Sequence, residues 1–269
     1  MSTAPETASA APAAPTADVP LLELAGVGRT YGSGPRATAA LAGVDLAVRP
    51  GRSVGIVGES GAGKSTLLRL LLALDRPTEG QVLYRGEPLR RDRAAVRRFR
   101  RDVQIVFQDP RSSLDPRMTV GAVVAEPLRS LRIPGDRGAR VAEVLGWVGL
   151  EPDAATRYPA QFSGGQRQRI AIARALAPSP SVLVGDEPVS ALDVSVREQV
   201  MDLLRRLRAE LGLTLVLVSH DIAVVGQLCE ETVVLHDGRV AESGPTEQVL
   251  TRPQDPYTQR LLAAVPRLP

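Results

Sequence analysis

Three groups of residues in this chain have types and spacings suited to chemistry on a phosphate. The first is Gly58-Glu59-Ser60-Gly61-Ala62-Gly63-Lys64-Ser65-Thr66, which fits the pattern G-x-x-x-x-G-K-[ST] of a phosphate-binding loop between a strand and a helix. Glycines let the backbone wind so that successive N–H groups point inward at the positive end of a helix dipole, which is a site for a polyphosphate. Lys64 would reach the β- and γ-phosphates, and the Ser65 hydroxyl would be a magnesium ligand. Lys64 is the only lysine in the chain; every other basic residue is arginine. Lysine is retained where a compact ammonium on a flexible stem is wanted.

The second group is Asp186-Glu187, at the end of the apolar run Ser181-Val182-Leu183-Val184-Gly185. Two adjacent carboxylates at the end of a buried strand are costly without a cation. With the loop upstream, Asp186 fits a residue that holds Mg²⁺ through water, and Glu187 fits the base that orients the attacking water. An exposed strand end is the plainer alternative. The third is His220, which follows the continuous apolar run Thr214–Ser219. A histidine at the C-terminal end of such a strand faces the ligand edge of an open α/β sheet, though a capping or core histidine would be ordinary. A weaker signal is Ser163-Gly164-Gly165-Gln166, which opens a helical run from Arg167 to Leu176. A small-residue turn at a helix N-terminus can bind an anion, but more often it simply caps the helix.

The elements that must position these residues are legible in outline. Ser53–Val57 reads as a short buried strand before the loop, and Thr66–Leu74 as a mostly apolar helix after it. Leu21–Val27 and Leu41–Val48 alternate as strands, and Gly80–Tyr84 with Gly86-Glu87 suggests another strand and turn. An antiparallel layer is therefore expected on the N-terminal side. Arg90 to Arg101 holds seven arginines against one aspartate. A nucleic-acid patch is conceivable there, but only Phe99 interleaves, and a solvated helix face is preferred. Val103–Phe107 is a core strand, and a helical insertion follows to about residue 180: Val120 to Leu131, Arg140 to Leu150 with Trp147 in the core, and a restart at Glu151-Pro152-Asp153 that Pro159 breaks. Val196–Leu211 is an amphipathic helix. Glu231–Leu235 and Arg239–Glu242 form a hairpin, with His236 structural, and helical pieces separated by prolines run to Pro269.

With 269 residues, 43% hydrophobic and 23% charged, the chain has the composition of a soluble globular protein with ample core. No apolar run approaches the roughly 20 residues that span a bilayer. Residues 1–20, rich in Ala, Pro, Thr and Ser, lack the positive start and apolar core of a signal peptide and read as a disordered tail. Residues 21–269 would then be one domain with its helical subdomain at approximately 109–180. The one cysteine, Cys229, excludes an internal disulfide and reads as a buried structural thiol. A net charge of +3 is too small to argue for nucleic acid.

Taken together, the motifs resemble those of the nucleotide-binding subunits of ATP-binding cassette (ABC) transporters, over roughly Leu21 to Gly244. Gly58 to Thr66 resembles the Walker A loop, and Gln108 the Q-loop glutamine. Phe162-Ser163-Gly164-Gly165-Gln166 resembles the signature motif, with Phe162 where the family generally has leucine. Val182 to Glu187 resembles Walker B with its catalytic glutamate, Ser190-Ala191-Leu192-Asp193 the D-loop, and His220 the switch histidine. Tyr31 sits where the family's adenine-stacking aromatic lies. The resemblance implies a P-loop NTPase core, a mostly parallel sheet flanked by helices, with the antiparallel layer and the helical insertion. It implies ATP and Mg²⁺ as ligands: Ser65, Gln108 and Asp186 for the metal; Tyr31, the Walker A residues, Gln108, the signature residues and Asp193 for the nucleotide; and Glu187, His220, Gln108 and Lys64 for hydrolysis.

Finer detail narrows the group. Val106-Phe107-Gln108-Asp109-Pro110 and the residues to Val120 are similar to the stretch after the Q-loop in peptide and nickel importers, with Asp115 where that group commonly has asparagine. Val189–Val196 and Pro256-Tyr257-Thr258 with Leu261-Leu262 are similar to the same group. The implied partners are a second cassette, distinct or identical, packed head to tail, so that Ser163, Gly164 and Gly165 close on the partner's γ-phosphate. Two transmembrane permease subunits and a solute-binding protein complete the expected assembly, on the cytoplasmic face of the cell membrane, with no nucleic acid. The alternatives are an ATPase subunit for another solute and a regulatory, non-transport member of the family; the intact Lys64, Glu187, His220 and Ser163-Gly164-Gly165 oppose the latter.

Overall fold

Alternating apolar residues near the N-terminus form an antiparallel hairpin, β1 (Leu22–Tyr31) with β2 (Thr38–Val48), in the computed structural model, which describes residues 19–264. Most of the tail expected over residues 1–20 lies outside the described residues. β3 (Ser53–Val57) runs through the glycine-rich loop into α1 (Lys64–Leu71), and β4 (Glu79–Tyr84) and the short β5 (Glu87–Pro88) follow. The arginine-rich segment is α2 (Arg93–Asp102), part exposed and part half-buried, with Phe99 its one fully buried residue, whose ring lies edge-on to Tyr84 at 5.4 Å. β6 (Val103–Val106) then enters the core. Next come α3 (Pro110–Ser113), α4 (Val120–Val124), α5 (Glu126–Ser130), α6 (Arg137–Trp147) and α7 (Gly164–Leu176). The last part of the chain is β7 (Val182–Asp186), α8 (Val194–Leu211), β8 (Thr214–Ser219), α9 (Ile222–Leu228), β9 (Glu231–His236), β10 (Arg239–Pro245), α10 (Thr246–Thr251) and α11 (Pro256–Ala263).

The strands form two sheets. One is antiparallel, in the order β2-β1-β4-β5; the other has the order β10-β9-β3-β8-β7-β6, parallel from β9 to β6 with β10 antiparallel at its edge. β3 and β8 are buried at every position, as strands covered on both faces must be. Successive side chains of β8 serve opposite cores: Val216 and Val218 pack toward the antiparallel sheet and α1, Leu215 and Leu217 toward α7, α8 and α9. At Gly55 of β3 a Cβ would lie 2.2 Å from Val225 of α9, so glycine lets that helix sit directly on the strand.

The helical block differs from its expected outline in four places. The single helix expected over 120–131 is two, because Pro127 in the first turn of α5 has no N–H to continue α4. α6 begins three residues before Arg140, where the Asp136 carboxylate accepts from the amides of Gly138 and Ala139. The helix expected from Glu151 is one 3₁₀ turn, Pro152–Thr156. Trp147 is only partly buried, its ring covered by the Arg140 guanidinium at 4.5 Å.

Cys229, directly after α9, is buried, and burial pushes its thiol up to about 12. Since the thiolate is the reactive form, a maleimide at neutral pH should leave the native protein unlabelled and modify it only after unfolding. Rapid labelling of the native chain would show that the end of α9 opens.

Candidate active site

The strand order brings distant residues to one edge. β8 lies between β3 and β7, with Val57 opposite Ser219 and Asp186 opposite Val218. The glycine-rich loop, Asp186-Glu187 and His220 all leave the sheet from the C-terminal ends of these three strands, where open α/β sheets bind ligands. β6 ends beside β7, with Val106 opposite Gly185, so Gln108 is delivered to the same edge, exposed in the bend after β6.

The loop is shaped by close backbone contacts. Gly58 (φ +157) and Gly63 (φ +105) lie where a Cβ would fall 2.3 Å from the Leu235 carbonyl oxygen and 2.7 Å from that of Ala40. Only glycine fits both the space and the torsion. The Lys64 ammonium turns back on the loop and donates to the carbonyls of Gly58 (2.5 Å) and Glu59 (2.8 Å).

Ala40, Ser60, Gly61, Gly63, Lys64, Ser65, Thr66, Glu187 and His220 line one cleft of about 460 Å³. His220 Nδ1 is 2.8 Å from Glu187 Oε1, with the histidine exposed and the glutamate side chain 16% exposed. An ionised carboxylate can only accept, so Nδ1 carries the proton and Nε2 is left for another partner. Glu187 has φ +48, uncommon for a residue with a side chain. Its backbone is held by its own N–H donating to the Val218 carbonyl (2.8 Å) and by the Ser190 hydroxyl donating to its carbonyl (3.1 Å). A sparsely populated backbone conformation held by neighbours is typical of residues that act.

Electrostatics joins the cleft together. Burial, reinforced by the charge of Glu187, raises the Asp186 carboxyl above the usual range, and Lys64 pulls it back. Burial lowers the Lys64 ammonium, against the pull of Glu187, Asp186 and Glu59. Each half-buried charge is short of compensation, a condition that a bound cation and a polyphosphate would relieve together. Among the described residues no three His, Cys, Asp or Glu side chains converge on a metal. A metal held by one or two protein oxygens, with phosphates and water completing the shell, suits the Ser65 hydroxyl and the Asp186 carboxylate and is the habit of Mg²⁺.

The remaining predicted residues lie elsewhere. Ser163 and Gly164 are exposed at the start of α7 and do not line this cleft. There the Ser163 hydroxyl accepts from the Gln166 amide and the Gln166 side chain accepts from the Ser163 amide, a reciprocal cap that starts the helix before the expected Arg167. A Cβ on Gly165 would lie 2.3 Å from Val196, which fixes α7 against α8. Asp193 caps α8 through the Val196 amide. Tyr31 ends β1, its hydroxyl donating to Asp75 (2.8 Å) and its ring under the Arg29 guanidinium (4.4 Å), away from the loop cleft.

Two residues near the site had no signal in the sequence. Gln168, fully buried on α7, donates to the carbonyl of Pro188 (2.7 Å) and ties the glycine-turn helix to the segment after Glu187. Asp221, beside His220, pairs with Arg197 of α8 at 3.1 Å. A buried glutamine in an Arg/Gln-rich helix looks in one dimension like any exposed one.

A family model described as "ABC transporter" matches residues 41–190. The chain is 45% identical over 260 residues to a dipeptide transport ATP-binding protein, DppF, of Haemophilus influenzae, covering 93% of this chain and 80% of that one. It is 43% identical over 232 residues to an oligopeptide transport ATP-binding protein, OppF, of Lactococcus lactis, covering 85% and 73%. A solved ATP-binding cassette, dimeric in a post-hydrolysis state with ADP and Pi, superposes with a TM-score of 0.72 at 36% identity, over 84% of this chain and 98% of that one.

Proposed function

This chain belongs to the ABC transporter family, and on that premise we propose that it is the ATP-hydrolysing subunit of a membrane importer of peptides. The observation that carries the proposal is the cleft in which Lys64, Ser65, Glu187 and His220 meet, with His220 Nδ1 at 2.8 Å from Glu187. Catalysis of phosphoryl transfer is mostly positioning and charge stabilisation. The loop amides and Lys64 bind the triphosphate, Glu187 polarises the attacking water, and His220 steadies Glu187 while its Nε2 reaches toward the γ-phosphate. Mg²⁺, held by Ser65, by Asp186 and by Gln108 from the bend after β6, would supply charge neutralisation of the β- and γ-oxygens. Tyr31 would stack on the base after giving up its bond to Asp75.

The exposed N-terminus of α7 supports a composite site, since Ser163 and Gly164 do not line the cleft of Lys64 and Glu187 in their own chain. Ser163, Gly164 and Gly165 would close on the nucleotide of a second cassette packed head to tail, with Asp193 at the same junction. The names of its relatives support dipeptides or oligopeptides as cargo. No helix among the described residues is long and apolar enough to cross a membrane, which is consistent with a separate permease pair, a solute-binding protein outside, and this subunit on the cytoplasmic face.

The test is uptake into proteoliposomes holding the permeases, the binding protein and both cassettes. ATP-dependent accumulation of labelled di- or oligopeptide is expected, and it should be lost with Lys64→Ala. Accumulation of Ni²⁺ without any peptide would overturn the assignment of cargo.

A further inference from the structure

Two backbone groups of the phosphate-binding loop are tied to later parts of the chain. The Ala62 carbonyl accepts from the amide of Gly238, in the turn between β9 and β10 (3.0 Å), and the Gly238 carbonyl accepts from the Ala42 amide (2.8 Å). The Glu59 amide donates to the phenol oxygen of Tyr257 (3.3 Å), 198 residues further along the chain on α11. Tyr257 is buried, and its ring is stacked on the imidazole of His236 with centroids 3.7 Å apart and planes at 18°. The helix that carries it is anchored at its start. Asp255 accepts from the amides of Tyr257 (2.7 Å) and Thr258 (3.3 Å), and the Glu242 carboxylate of β10 accepts from those of Gln254 (2.9 Å) and Asp255 (3.1 Å).

From this arrangement we infer that the C-terminal segment is a clamp that pre-forms the phosphate-binding loop, with Tyr257 a positioning residue for ATP binding. Tyr257 does not line the cleft; it acts through the loop. An amide tied off on the outer side cannot swing into the cradle, so the inward set of N–H groups is fixed before the nucleotide arrives. Ordering a loop in advance removes that cost from binding. The clamp lies beyond residues 41–190, the part of the chain that the family model covers. Because nucleotide and transition state gain equally from a formed loop, its loss should appear in affinity rather than in turnover.

The inference rests on the proposed ATP site, and the test separates the two. Tyr257→Phe keeps the ring and its stacking but removes the acceptor. Loss of one such hydrogen bond should raise the Kd for Mg·ATP roughly 3- to 10-fold, raise KM alike, and leave kcat within about twofold. Leu261→Ala, on the same helix and packed against the core, should lower Tm and leave the nucleotide Kd within about twofold of the unsubstituted chain. An unchanged Kd in Tyr257→Phe overturns the clamp, as does an equal loss of affinity in Leu261→Ala, which would reduce it to general loosening. Failure of the unsubstituted chain to bind ATP would instead overturn the site itself.

Discussion

Replacing Glu187 by glutamine is expected to lower ATP turnover about 10²- to 10⁴-fold, the range a positioned general base supplies, with nucleotide affinity within about threefold of the original. The substitution is nearly isosteric. The amide oxygen can still accept from His220 Nδ1, so the 2.8 Å contact and the φ +48 backbone have no steric reason to change. What is lost is the basicity that draws a proton from water. The charge removed is one that raises the neighbouring Asp186 carboxyl, so Asp186 ionises more readily in the variant and its metal-holding capacity does not suffer. Binding and chemistry should therefore separate: Kd for Mg·ATP by calorimetry nearly constant, phosphate release nearly abolished, and ATP-bound pairs of cassettes accumulating on gel filtration. Turnover at the unsubstituted rate would move the base away from Glu187 and leave His220 as the candidate.

The contrast between what the sequence discloses and what it hides follows from the range of the interactions. Lys64 and its glycines are readable because a phosphate cradle is built from consecutive backbone groups. Parallel central strands such as β8 are readable because burial on both faces demands an unbroken apolar run. The division of 120–131 into two short helices turns on Pro127, which suits a first turn, but only of a new helix. Side-chain contacts across long separations leave no local trace. The Tyr257 phenol meets Glu59 at a separation of 198 residues, and Gln168 meets Pro188 from a helix in which a buried glutamine and an exposed one read alike. Even the pairing of His220 with Glu187 needed the strand order β3-β8-β7, which two apolar runs could not supply.

Ser163→Arg should leave ATP binding to the chain's own loop unchanged and reduce hydrolysis about 10²-fold or more, the effect of removing positioned donors from a developing negative charge. In a single chain this would be hard to explain, since Ser163 is exposed and does not line the cleft of Lys64 and Glu187. It follows directly if the start of α7 completes a partner's site, where a long guanidinium replaces a hydroxyl that must approach a phosphate closely. Stability has to be separated from this effect, because Ser163 also caps α7 through the Gln166 amide and loss of a cap costs about 0.5–2 kcal/mol. Ser163→Ala carries the same loss of the cap without the bulk. It should match the arginine variant in Tm while keeping much more of the turnover. Where the chain pairs with its own copy, an equal mixture of Ser163→Arg and Glu187→Gln subunits provides a sharper measurement. Half of the pairs are then mixed, and each mixed pair holds one site with Glu187 from one chain and Ser163 from the other, so about a quarter of the original sites are whole. Recovery of activity on mixing two inactive proteins admits no explanation within one chain, whereas full activity of Ser163→Arg as the only cassette present would end the shared-site model.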